Sequence, residues 1–557
     1  MTTEEKSRLR LPAPKPPPYD PDEWRQLPWS ERTKLACQAW ALDGYGAPLL
    51  TYAVYLAKIG AYVACWAAFC LFSEGIDKLG DIATWAFTPV AFQKAILWSM
   101  AFEGLGLGCA SGPLTGRYIP PVAAPWHFIK PGTIKMPLFP RIPLLGRARR
   151  GYLESALYGV HYLLLFRALC APQVTPELVL PTVVVLALLG VVDKTIFLAA
   201  RGEHYFSITV CFLFADDWLT GAMAVQLAIW IWAAISKLNH HFPTVIGVMT
   251  SNSPLLRWQS LRRAMYRQFP DDLRPSHLAS VMAHGGTLLE FTFRVLLVLG
   301  RGGTLTLIGL VIMVAFHSYI TSHFPMAVPL EWNVMVVYSG FFFFGAQATA
   351  IPLHIESPAL LAYLAIALVL VPAIGNIAPR WVSFLLSMRY YAGNWAYSVW
   401  LFRDGAQTKL DEHILKISPL PSDQLGRFYD DKLVAGLMSK IPAFRAMHLH
   451  GRALGLLLPR AVDDIDAYQY FEGEVLAGLV LGYNFGDGHL HDHRLLEAVQ
   501  AECDFAPGEL RHIFVESQPL FDQRLHWQIH DAADGLIQED YVSVATLRQR
   551  QPWQEGD

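Results

Sequence analysis

Eleven ionisable side chains sit inside or at the edges of long apolar stretches of this sequence: Lys58, Lys94, Glu103, His161, Asp193, Lys194, Lys237, Glu290, Arg294, His317 and His323. At bilayer depth such a group costs from about 2.5 kcal/mol upward, so each is a candidate for function. Lys94, Asp193 and Lys194 lie near stretch ends, where side chains reach back to water and a structural role is expected. Glu290 and Arg294 are four positions apart, the spacing of an ion pair on one helix face. Lys237 follows AVQLAIWIWAAIS and precedes Asn239, His240 and His241. Partial desolvation there can bring an amine toward neutrality and make it a base; the plainer reading is a lysine that complements a helix C-terminus and snorkels. Lys237, Glu290 and His317 come from three different stretches, and converging on one polar cavity lowers the penalty each would face in lipid. These three are the catalytic candidates.

A second concentration is Gly486-Asp487-Gly488-His489-Leu490-His491-Asp492-His493. Imidazole and carboxylate together suit zinc or iron, which makes Asp487, His489, His491 and His493 the candidate metal ligands. Alternation would place the three histidines on one side of a strand, and a glycine-flanked polar loop, dispensable for folding, fits equally well. No H-E-x-x-H, Walker loop, dinucleotide fingerprint or G-x-S-x-G elbow is present, and no cofactor is identified.

The elements that must carry these groups follow from composition. Of 557 residues, 53% are hydrophobic and 16% charged, against roughly 25% charged in soluble domains. The net charge of −3, with 44 basic against 47 acidic residues, does not recommend nucleic acid as a partner. The seven cysteines form no C-x-x-C pair and read as small core residues. The proline-rich N-terminus lacks an apolar stretch, so no cleavable signal is expected and the first membrane helix directs insertion. Nine stretches have the roughly 20 apolar residues a span requires: Leu49–Phe72, Val90–Cys109, Tyr152–Cys170, Leu178–Ala199, Leu219–Leu238, Ser280–Leu299, Thr304–Phe324, Ala327–Ala346 and Pro358–Ile377. A shorter piece, Tyr205–Ala215, reads as a broken helix that completes a tenth crossing.

Orientation follows the basic loops. Gly112–Gly151 holds seven basic residues and no acidic one, and Asn239–Ala279 adds Arg257, Arg262, Arg263, Arg267 and Arg274; both are expected in the cytosol, with both termini. The aromatic run 380–403 reads as a helix lying on the membrane surface. Residues 404–557 have ordinary soluble composition with helical periodicity. The expected fold class is therefore an all-α integral membrane protein, a polytopic bundle of about 9–10 spans over 49–379. A cytosolic segment 1–48 precedes it and a soluble, mainly helical C-terminal region follows.

Two resemblances add to this. The run WAAISKLNHHF, the later Glu290, and FHSYITSHFP resemble the transmembrane domain shared with vitamin K-dependent γ-carboxylases, over 152–325. By that likeness Lys237 corresponds to the lysine that deprotonates reduced vitamin K. Over nearly the whole chain, WRQLPWSERTKLACQAWALDGYGAP, FQKAILWSMAFEGLGLGCASGPLTGRYIPP and KMPLFPRIPLLG resemble an uncharacterised bacterial transmembrane family first noted in mycobacteria and corynebacteria. Members of that family are linked to maturation of lipomannan and lipoarabinomannan. The resemblance implies a protein of the bacterial inner membrane supporting synthesis or transfer of a lipid-linked glycan, as catalyst or accessory, with membrane lipids as partners. An enzyme acting on a quinone or other amphiphile with Lys237 as base is the alternative. A lipid or solute transporter is the third class, though the halves show no inverted repeat.

Overall fold

Leu49–Cys70 (α2) has 22 residues with Lys58 as its single charge, and at 1.5 Å per residue it extends about 33 Å, enough to cross a hydrocarbon core. The computed structural model describes residues 14–108, 124–143, 145–323, 329–382 and 392–556. Before α2 comes α1, Trp29–Asp43; after it follow α3, Pro89–Gly104, α4, Tyr152–Leu169, and α5, Pro176–Val192. The bundle continues with α6, Trp218–Ser236, α7, Phe242–Asn252, α8, His277–Gly300, α9, Thr304–Thr321, α10, Leu330–Gly340, and α11, Pro358–Ile377. Among the described residues, α2, α6, α8, α9 and α11 are long and apolar enough to cross a membrane, and Pro176–Val192 and Leu330–Ala346 are shorter apolar helices. The protein is thus a mostly helical transmembrane protein.

Three expectations for the bundle need correction. Leu178–Ala199 is not one span: the helix stops at Val192, and Asp193 takes an extended backbone (φ −148°, ψ 86°). Its carboxylate accepts from Thr195 N at 3.1 Å, starting the helix Lys194–Ala199, and accepts from Arg150 Nε at 2.7 Å. Asp193 is fully buried and so does not reach back to water. The Tyr205–Ala215 piece is a π-type turn, Gly202–Phe206, followed by Ser207–Cys211, nearly all of it buried. Ten residues reach about 15 Å, so the piece is a broken helix held within protein and no crossing by itself. Most of α3 is buried inside the bundle.

The run 380–403 is corrected where it is described. Tyr397–Arg403 is a β-strand (β3); residues 383–391 lie outside the described residues. A two-stranded ribbon, β1, Tyr266–Gln268, with β2, Asp272–Pro275, precedes it. With β4, Tyr468–Glu472, β5, Leu510–Val515, β6, Arg524–Asp531, and β7, Gly535–Ser543, β3 forms an antiparallel sheet of order β4-β3-β5-β6-β7 among the described residues. The C-terminal region is therefore α+β, and the all-α expectation fails there. β3 is buried on both faces: Tyr397, Val399 and Leu401 join Leu454, Leu457 and Leu458 of one core cluster, while Trp400 and Phe402 belong to the other. A strand covered on both sides carries a near-continuous apolar run without period-2 alternation.

Four C-terminal helices pack around this sheet: α12, Lys440–Ala446, α13, Leu454–Ala461, α14, Gly473–Leu481, and α15, His493–Cys503. The larger core cluster runs without interruption from the bundle into this region. The Trp40 ring of α1 lies 5.1 Å from Phe444 of α12, and Trp40 Nε1 donates to Val248 O of α7 at 3.0 Å. Gln38 Nε2 donates to Pro270 O, Leu273 N donates to Gln551 Oε1, and Arg149 pairs with Glu502. The N-terminal helix and both basic loops thus touch one another or the C-terminal region and share one end of the bundle.

Candidate functional site

α6 ends at Ser236 and Lys237 follows as its cap, so the lysine leaves the helix where the bundle meets the C-terminal region. Its Nζ donates to Glu290 Oε2 of α8 at 2.7 Å, and both side chains are buried. The ammonium also stands over the rings of Phe316 and Phe242, at 5.3 Å and 5.5 Å from their centroids, where the ring quadrupole favours a cation. One turn along α8, Arg294 Nη2 lies 2.8 Å from Glu290 Oε1. Glu290 therefore carries two cations, and the buried triplet has one positive charge in excess.

His317 sits on α9. Its Nδ1 lies 2.8 Å from Asn333 Oδ1, and Asn333 Nδ2 donates to Pro329 O at 2.7 Å. That second bond fixes the amide so that its oxygen faces the ring, which requires His317 Nδ1 to be the donor and leaves Nε2 as an acceptor. Nε2 has no hydrogen-bond partner.

Lys237, Glu290 and His317 line one cavity of about 700 Å³, within the roughly 300–1,000 Å³ typical of small-molecule sites. Its walls differ from the polar cavity expected. Trp230, Ile246, Met249, Met282, Ile312 and Phe316 make most of the surface apolar, and the charges are confined to a few places. On α8 the lining residues Met282, Gly285, Gly286, Leu289 and Glu290 recur every three to four positions, one stripe of a helix.

The C-terminal region completes the lining with Trp395, Phe444, Arg445 and His448, which sequence reasoning missed. His448 Nδ1 lies 2.7 Å from Phe444 O, so Nδ1 carries the proton and Nε2 is an acceptor. Burial pulls His448 down to about 3, which keeps the ring neutral. Arg445 packs its guanidinium 4.8 Å from the Trp395 ring and pairs with the buried Glu472, at 3.2 Å, and with Glu474. The run MHLHGR held the signal for His448, but nothing in the sequence joins it to a helix two hundred residues earlier.

Among the other ionisable groups of the bundle, His323 also lines the cavity. Lys58 donates to Gly108 O and Lys94 to Phe69 O, Glu103 pairs with Arg201 at 3.4 Å, and His161 stays buried beside Tyr162. Lys194, expected to reach water, pairs with Asp487.

The proposed metal cluster is not assembled. Residues Gly488–His491 form a 3₁₀ turn, neither strand nor exposed loop. Asp487 accepts from His489 N, His489 Nε2 meets Glu516 Oε2 at 2.6 Å, and His491 Nδ1 meets Ser398 Oγ at 2.9 Å. His493 stacks on His530, centroids 5.5 Å apart. The four side chains thus have separate partners, and among the described residues no three His, Cys, Asp or Glu side chains group as a metal site. Because the turn is buried, it also does not fit the expectation that it is dispensable for folding.

A family model described as "Transmembrane protein of unknown function (DUF3556)" matches residues 11–557. Neither a curated protein nor a solved structure matches the chain.

Proposed function

The chain belongs to this transmembrane family of unknown function, and from that premise we propose that it takes an amphiphile from the membrane into the cavity at Lys237, Glu290 and His317. The amphiphile is a lipid-linked glycan or its precursor, handled in the bacterial inner membrane during envelope synthesis. The observation that carries the reading is the cavity itself, an apolar chamber with an ion pair and oriented histidines at its wall. Apolar walls suit a hydrocarbon chain, and a few placed polar groups hold a head and fix its orientation. The glycan part rests on the resemblance of the N-terminal and basic-loop motifs.

The test is a lipid extraction of the purified full-length protein and of Gly286→Trp, which places a large ring on the lining stripe of α8. Mass spectrometry is expected to find a co-purifying amphiphile in the first and not in the second. Equal recovery from both sinks the reading. Comparison of glycolipids between a deletion strain and its parent tests the glycan part, and unchanged profiles argue against it.

A second reading, acid–base chemistry on the bound amphiphile, is favoured by two acceptors, Nε2 of His317 and Nε2 of His448, on the same lining. In this reading the bases are histidines. Lys237, whose Nζ donates to Glu290, is the group placed to donate toward developing negative charge.

A further inference from the structure

We infer that the cavity selects amphiphiles with an anionic head, phosphate or carboxylate, and admits them sideways from the bilayer between α8 and α9. This rests on the reading of the cavity as an amphiphile site and adds the charge and the route.

The charge argument is a count over the groups that face the chamber. Among the described lining residues the charged side chains are Lys237, Glu290 and Arg445, two cations and one anion. Behind Glu290 stands Arg294, buried and outside the lining, with Nη2 2.8 Å from Glu290 Oε1 and with Nε and Nη1 lacking hydrogen-bond partners. Glu472 and Glu474 sit behind Arg445 and do not line the chamber. His448 is neutral and presents an acceptor, so it adds no negative charge. Glu290 is shared between Lys237 and Arg294, so an entering head that brings negative charge balances the excess cation beside the chamber. A zwitterionic or neutral head does this less well.

The route argument is geometric. Leu289 is 49% exposed and Val311 61% exposed, and both also line the cavity. They belong to the face of α8 and α9 that shows Val281, Leu288, Val295, Leu307 and Ile308 to the outside, a surface of the kind that meets lipid tails. Beside them a side-chain carbon placed on Gly285 or Gly286 would meet nothing within 4 Å. Two consecutive glycines on the lining stripe therefore leave open space at that part of the wall, and this is where the inferred route admits a chain whose head follows toward Lys237.

The test uses the full-length protein in nanodiscs of phosphatidylcholine and three probes with one chain: oleyl phosphate, oleyl phosphocholine and oleyl alcohol. The phosphate is expected to bind at least about tenfold tighter than the alcohol, the scale of one hydrogen bond to a charged group. Lys237→Gln leaves Glu290 its Arg294 partner and is expected to erase most of that preference; Glu290→Gln is expected to increase it. Gly286→Trp is expected to abolish binding of all three. If the three probes bind equally and Gly286→Trp removes them all, the anionic preference fails and the amphiphile site stands. If Gly286→Trp leaves all three unchanged, the amphiphile site itself fails. Displacement of oleyl phosphate by an equal concentration of inorganic phosphate overturns the inference in favour of a small-anion site.

Discussion

Lys194 and Asp487 form an ion pair, Nζ to Oδ2 2.9 Å, that ties the helix after the Asp193 break to the histidine turn of the C-terminal region. Asp487 is buried and Lys194 mostly so, and removing one partner strands the other. Asp487→Ala is expected to cost toward the lower end of about 3–5 kcal/mol, read as a fall in the thermal midpoint of the solubilised protein. Asp487→Asn keeps the cap on His489 N and should cost less. An unchanged midpoint for Asp487→Ala removes the pair from the account of stability.

Glu290 has two cationic partners, so single losses differ from a double loss. Lys237→Met is expected to fold nearly as well as the parent, because Arg294 still neutralises the carboxylate. Lys237→Met combined with Arg294→Met leaves Glu290 alone and is expected to lose about 3–5 kcal/mol. Size-exclusion recovery after mild heating separates the two. Equal recovery would mean that Arg294 does not compensate.

The His489–Glu516 pair predicts a pH dependence. Burial alone drives the His489 ring down, but the Glu516 carboxylate, with Asp487 and Asp492 near, outweighs it and holds the group above its ordinary 6.5. A raised folded value stabilises fully below the unfolded one and is lost as pH rises through the folded one. The penalty of Glu516→Gln is therefore expected to be largest below about pH 6.5 and to shrink on the alkaline side. Thermal melts from pH 5 to 9 measure it; a penalty independent of pH refutes the charged pair.

Glu472 predicts the opposite partner behaviour. Burial raises its carboxyl well above the usual 4.5 despite Arg445 beside it. The folded protein then holds a proton that the unfolded chain has released, and stability falls as pH climbs above 4.5. Glu472→Gln, a neutral copy, is expected to be tolerated and to flatten that slope. Arg445→Met, which removes the cation facing Glu472 and Glu474, is expected to be far more damaging. Denaturation curves at pH 5 and pH 8 report both, and a steeper slope in Glu472→Gln contradicts the assignment.

For topology, fusions at Arg149 and at the C-terminus are expected to report the same side of the membrane, since Arg149 contacts Glu502. By the basic-loop rule that side is the cytosol. Alkaline-phosphatase activity from either fusion overturns the orientation.

Part of the bundle was legible because run length is a readout of span length: among the described residues, five of the nine apolar stretches coincide with helices long and apolar enough to cross a membrane, while the others hold shorter, more polar or interrupted helices. The convergence of Lys237, Glu290 and His317 was legible for an energetic reason: three charged or polar groups on separate spans have few cheap places to go. Asp193 misled because a carboxylate inside an apolar run reads equally as a snorkelling end or as a helix break. Its partner, Arg150, lies in a loop 43 positions away. Tyr397–Arg403 misled because a strand covered on both faces has no alternation to read. The histidine turn misled because spacing in sequence says nothing about which way each ring is turned, and Glu516, Ser398 and His530 come from other strands or their ends.

The packing of α1 on α12 sets an order of events during synthesis. Cys37 and Ala443 meet across 406 positions, and every candidate membrane span lies between them. At 5–20 residues per second the ribosome needs roughly 20–80 s to make that interval. For all that time Trp40 has no Phe444 to rest on, while the membrane helices are already inserted. The helix Trp29–Asp43 is thus made before any of these spans and is among the last elements to find its place, and until then its Trp40 face is a natural client for a chaperone or for the membrane surface.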